Sequence, residues 1–194
     1  MQRLMERLAR IMAIAGGLVL TALVVLTCLS VLGRGLNTLG HSDLLTGLSE
    51  TLAAALIATG VGPINGDFEL VEAGVAFAIF AFLPACQIYG AHATVDIFTS
   101  ALPRRLNLWI IAFWEGVLTA VIVLITLRLY AGMEGKMQYG DTTFILQFPV
   151  WWAYAASFAA AVVASVVAVY CAYARLAHAL TGQPRLPAPE GAQQ

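Results

Sequence analysis

"DLLTGLSETLAAALIAT", residues 43–59, decides how often this chain crosses a membrane. Leu44, Leu45, Leu48, Leu52, Ala55, Leu56 and Thr59 recur at helical spacing on one side, with Ser49, Glu50 and Ala53 on the other. Ser42 or Asp43 stands where an N-cap belongs. This pattern predicts an amphipathic helix lying on a membrane or against neighbouring helices. A spanning helix here would bury Glu50 and run into "GVGPINGD", which breaks helices.

The rest of the chain calls for a membrane. Of its 194 residues 60% are hydrophobic and only 11% charged, against roughly 45–50% and about 25% in soluble domains. A net charge of −1 and the lack of a basic cluster leave no reason to expect nucleic acid. Cys28, Cys86 and Cys171 lie in or at the end of apolar stretches, without C-x-x-C or Cys/His spacing. They read as small buried residues, not as a disulfide framework or a zinc site. The first apolar run, 11–33, is longer than the roughly 7–15 residues of a signal peptide core, so it is expected to stay as a transmembrane helix.

About 20 apolar helical residues cross the roughly 30 Å hydrocarbon core. Four stretches qualify: 11–33, 70–89, 107–129 and 149–174. The last opens "PVWWAYAA", where Pro149 suits a first helical turn and Trp151, Trp152 and Tyr154 suit an interfacial belt, as does Trp109 in the third stretch. Basic residues then settle the count. With four spans, Arg3, Arg7, Arg10, Arg104, Arg105, Arg175 and Arg185 share one side, and Arg34, Arg128 and Lys136 the other. The positive-inside rule puts both termini in the cytoplasm, whereas a fifth span would nearly balance the two sides. The expectation is an all-α membrane protein: one four-helix domain over 1–180, an interfacial helix at 43–59, and a disordered cytoplasmic tail at 181–194.

Few polar residues interrupt the apolar stretches, and each needs a partner or a purpose. Glu115 lies deepest, about nine residues into the third stretch. It is either a proton or cation site, or a carboxylate hydrogen-bonded to another helix of this or a partner chain. Glu69 and Glu72 open the second stretch, where acidic groups complement the helix dipole or meet a basic partner. Asp141 and Thr142, in the outside turn "GDTTFILQFP", would tie that loop to the membrane surface. His92 and Asp96 stand four apart beyond Gly90, on the cytoplasmic side. A metal site needs further ligands, so a hydrogen bond that shapes the turn, or a docking point, is the simpler reading.

These residues weigh on function by exclusion. A haem anchor needs histidines inside the spans, and His41, His92 and His178 lie at span ends or outside. A membrane enzyme needs a cysteine pair or a nucleophile–base couple, and neither is visible. An alternating-access carrier usually carries a repeat and a polar midplane site; here there is no repeat. A small helical subunit of a larger assembly remains, with no catalytic residue, cofactor or metal expected. A stand-alone small carrier, or the membrane anchor of a redox complex, stays as the alternative.

"GDFELVEAG" (66–74), "FAFLPACQIYGAHATVDIF" (80–98) and "MQYGDTTFILQFPVWWAYAASF" (137–158) also resemble a known family. The likeness, over roughly residues 5–180, is to the small membrane subunit, the Q-type small permease, of tripartite ATP-independent periplasmic (TRAP) transporters. The paired glutamates, the His-x-x-x-Asp and the aromatic-proline start of the fourth span carry it. The segment 41–66 is long beside the first loop of many members. The resemblance implies an accessory subunit of a sodium-coupled importer of organic acids in a bacterial inner membrane. It would serve as scaffold for a large membrane subunit that holds the substrate and sodium sites, and would help to dock a periplasmic binding protein. Glu69, Glu72, Glu115, His92, Asp96 and Asp141 would then be structural or intersubunit contacts.

Overall fold

A computed structural model describes residues 1–42, 47, 50–58, 60, 62–91, 103–182 and 186, with backbone only at 50, 52, 55, 56 and 104. The described chain forms α1 (Gln2–Gly40), α2 (Glu50–Ala58), α3 (Asp67–Tyr89), α4 (Arg104–Tyr139) and α5 (Trp151–Thr181). All but α2 are long and apolar enough to cross a membrane; α1, α3 and α4 contain the first three predicted stretches, and α5 covers the fourth from its third residue onward. These helices outrun their apolar stretches because hydropathy does not end a helix; a cap does. Gly90, Gly140 and Gly182 stop α3, α4 and α5 in the left-handed conformation that releases the chain from the last turn.

The deciding segment contributes α2, whose described part is nine residues long. It packs against α1 with Ala53 buried. The remainder of 43–59 lies outside the described residues, apart from Gly47. One local expectation is corrected. Pro149 precedes α5 rather than opening it, because Val150 is the N-cap and Pro149 sits opposite Thr142 in an isolated antiparallel bridge. The bridge uses Thr143 N–H to Phe148 O and Val150 N–H to Asp141 O, so the missing N–H of Pro149 costs it nothing.

The four long helices stand in a row, α1–α3–α5–α4, not in a closed bundle. Helix α1 packs on α3 and touches α5 at the terminal end, α3 packs on α5 and α5 on α4, while α4 makes no close backbone approach to α1 or α3 among the described residues. Small residues permit each contact, as expected where lipid removes any hydrophobic drive between helices. Between α1 and α3, Gly16 lies against Ala81, and Gly74 accepts Leu23 where a Cβ would collide. Along α5, Ala160, Ala161, Ala164 and Ala168 are buried. Thr119 of α4 donates to the Ala168 carbonyl at 3.2 Å, and Thr126 is 2.8 Å from the Ser165 hydroxyl. At the end of the row holding the termini, Met5, Ala9, Ile88, Cys171 and Ala174 pack together with Leu186. Leu186 belongs to the segment read from sequence as a disordered tail; its neighbours 183–185 and 187–194 lie outside the described residues.

Candidate interaction surfaces at the two ends of the row

At the end away from the termini, the first turn of α3 is tied to both flanking elements. Glu69, 5% exposed, accepts the backbone N–H groups of Ile145 at 2.8 Å and Leu146 at 3.0 Å. Each carboxylate oxygen thus has a backbone donor, so the buried group is not left unpaired. Gly66, just before α3, has φ +79° and lies under the Leu146 side chain, so both its backbone and its missing Cβ serve this junction. On the other side Ser30 of α1, fully buried, donates to the Asp67 carboxylate and accepts the Ile64 N–H at 3.3 Å. A hydroxyl can do both at once. The carbonyl of Gly62 presses on Gly33 in the next turn of α1.

The loop between α4 and α5 is held at both ends and bare at its tip. Lys136 and Asp141 pair at 2.8 Å, and Gln147, at φ +55°, donates its Nε2 to the Phe144 carbonyl at 2.8 Å. These ties present Phe144, 92% exposed, together with Ile145 and Leu146. Behind the tip lies a cavity of about 470 Å³ bounded by Phe68 and Phe80 of α3, Leu129 of α4, Tyr154 and Ser157 of α5, and Phe148. Glu72 lines it and is itself exposed. Tyr154 packs on Gly132, Trp151 and Trp152 meet edge to face, and Trp109 is exposed on α4 near the other end.

The terminal end holds a second polar group of residues. Glu115 of α4 and Cys171 and Arg175 of α5 lie beyond the Thr119–Ala168 bond toward this end, and Glu115 Oε1 and Arg175 Nε find no hydrogen-bond partner among the described residues. Both charged residues are buried. Gln87 of α3 is fully buried, and neither of its amide atoms finds a partner among the described residues. His92 and Asp96, singled out in the sequence, lie outside the described residues. No three His, Cys, Asp or Glu side chains gather at metal-binding distance among the described residues.

Sequence reasoning missed Ser30, Asp67, Gln87 and Arg175. Ser30 is an unremarked hydroxyl in an apolar run, and Arg175 serves equally well as a flanking positive charge. Only Asp67, in "GDFELVEAG", carried a signal of its own, as an acidic residue at a helix start.

The fold defines a class: a small multi-pass helical membrane protein whose polar side chains join helix to helix and helix to loop. The comparisons narrow it. Residues 57–179 match the family described as "Tripartite ATP-independent periplasmic transporters, DctQ component". The chain belongs to this family, the small component of TRAP transporters, and is a multi-pass protein of the inner membrane. The match runs from the last residues of α2 nearly to the end of α5 and leaves the whole of α1 outside. No curated relative and no solved structure matches the chain.

Proposed function

We propose that this chain is the accessory small permease subunit of a sodium-coupled, binding-protein-dependent importer of organic acids. Both termini face the cytoplasm, following the distribution of its basic residues. It is not an enzyme and carries no cofactor; it enlarges the rigid frame of a large membrane subunit that holds the substrate and sodium sites. The bare loop tip at Phe144 then faces the periplasm and contributes to the surface where the binding protein docks.

One observation carries this reading: acidic side chains at the loop end engage the chain's own structure instead of converging on one site. Glu69 holds a loop, Asp67 holds α1 and Asp141 pairs with Lys136, while Glu115 is buried at the other end of the row. A transport site gathers such groups near the midplane on broken helices. The direct test expresses the chain with and without its large subunit in transport-null cells. Uptake is expected only with both, and sodium-driven uptake by this chain alone would refute the reading. Reporter fusions at Pro63 and Arg104 check the orientation, with periplasmic signal expected at the first and cytoplasmic signal at the second.

A further inference from the structure

The two flanks of the row differ in chemistry. Outward residues of α1 are largely apolar, including Ile11, Leu18, Val25 and Leu32, and the exposed Thr21 and Thr27 turn their hydroxyls onto the carbonyls of Gly17 and Leu23, as a lipid-facing helix requires. On α4, Glu115, Thr119, Ile122 and Thr126 turn toward α5. The opposite face at helical spacing carries Val117, Leu124, Arg128, Ala131 and Gly135. Arg128 is exposed, and among the described residues no carboxylate lies within ion-pair distance of it.

Packing shows how deep that arginine lies. The Tyr130 ring meets Phe158, Gly132 lies against Tyr154, and Thr126 reaches the Ala161 carbonyl. Arg128 is therefore level with about residue 160 of α5, roughly 13 Å inward from the Trp151–Trp152 pair at 1.5 Å per residue. By its own hydropathy Arg128 ends the third apolar stretch; by its packing it stands near the middle of the fourth. An outward arginine at that depth is too far from the headgroups to snorkel without deforming the bilayer. Ala131 and Gly135, with nothing within 4 Å of the Gly135 Cβ position, leave room beside it for another helix.

We infer that the outward face of α4 around Arg128 seats a transmembrane helix of the large membrane subunit, which brings a carboxylate or an unpaired helix carbonyl to the guanidinium. This rests on the accessory-subunit reading above. A second copy of this chain is a poor occupant: a two-fold contact through this face sets Arg128 against Arg128 at one depth. Lipid is a poor one because its phosphate lies near the tryptophan level.

The test uses the full chain co-expressed with its large subunit. A photo-crosslinking amino acid is placed at Leu124 or Ala131 of α4 and, for comparison, at Leu18 of α1. Adducts with the large subunit are expected at both α4 positions, at least tenfold above Leu18. In parallel, Arg128→Glu should lower co-purification of the large subunit at least tenfold and Arg128→Lys should retain most of it, with the abundance of this chain in the membrane unchanged. Adducts at Leu18 but not on α4, adducts only with lipid or a second copy, or wild-type co-purification by Arg128→Leu would each overturn the inference. If the wild-type chain does not co-purify, the accessory reading falls as well. Co-purification without α4 adducts sinks only the surface proposed here.

Discussion

Because α4 packs chiefly on α5, one crowded alanine should loosen it. Ala164 is fully buried beside Ile122 and Ala168, with Leu83 of α3 packed over them. Ala164→Leu forces an isobutyl group into this junction, and overpacking of this kind costs about 1–3 kcal/mol. Ile122→Ala leaves a cavity at the same place and costs about 2–4 kcal/mol. If the two side chains share the space, the leucine fills the cavity, and the double variant falls short of the summed losses by more than about 1 kcal/mol. Val166→Leu, on the exposed side of α5, should stay within about 0.5 kcal/mol of the parent. The assay is reversible unfolding in mixed micelles titrated with denaturing detergent, followed by the fluorescence of Trp109 and Trp114, both on α4. Additivity of Ala164→Leu and Ile122→Ala to within about 0.5 kcal/mol would refute the packing argument, as would a silent Ala164→Leu.

Four further expectations follow from the ends of the row. Glu69→Ala should speed amide hydrogen exchange at Ile145 and Leu146 at least tenfold, with Glu69→Gln intermediate because it keeps one acceptor; unchanged protection would show that the carboxylate does not hold the loop. Ser30→Ala should expose the 62–66 turn to limited proteolysis while leaving the 140–149 loop protected, and equal cleavage of both would contradict a local tie. Gly66→Ala places a side chain in the left-handed region and under Leu146, so it should destabilise the chain by about 1–2 kcal/mol in a thermal melt. Arg175→Met should destabilise more than the pair Glu115→Met with Arg175→Met, by about 1–3 kcal/mol, because it leaves a buried carboxylate without its cation; the same detergent titration reads the difference.

The row arrangement also gives a physical sense to a small subunit beside a transport machine. A closed bundle satisfies its own faces, whereas a row leaves two flanks and two broad surfaces for lipid and protein. The rigid ties at the loop end, where Glu69, Ser30 and Lys136 each secure a neighbouring element, keep the Phe144 tip in a fixed place on that frame.

Hydropathy and charge asymmetry were enough to find four crossings and to keep residues 43–59 from being a fifth, because the cost of burying Glu50 and breaking at Pro63 is written in consecutive residues. The family was legible as well, since its motifs are short, ordered stretches. What the polar residues do was not. Glu69 acts on backbone N–H groups 76 and 77 positions away, and backbone donors have no sequence signature. For Glu115 the sequence left a proton or cation site and a helix contact both open, and Arg175 looks like a flanking charge until α4 and α5 are set side by side. Hydropathy measures each helix against the bilayer separately. The register in which helices pack depends on which small residues let two backbones approach, and only the tertiary structure brings Tyr130 to Phe158 and so carries Arg128 inward.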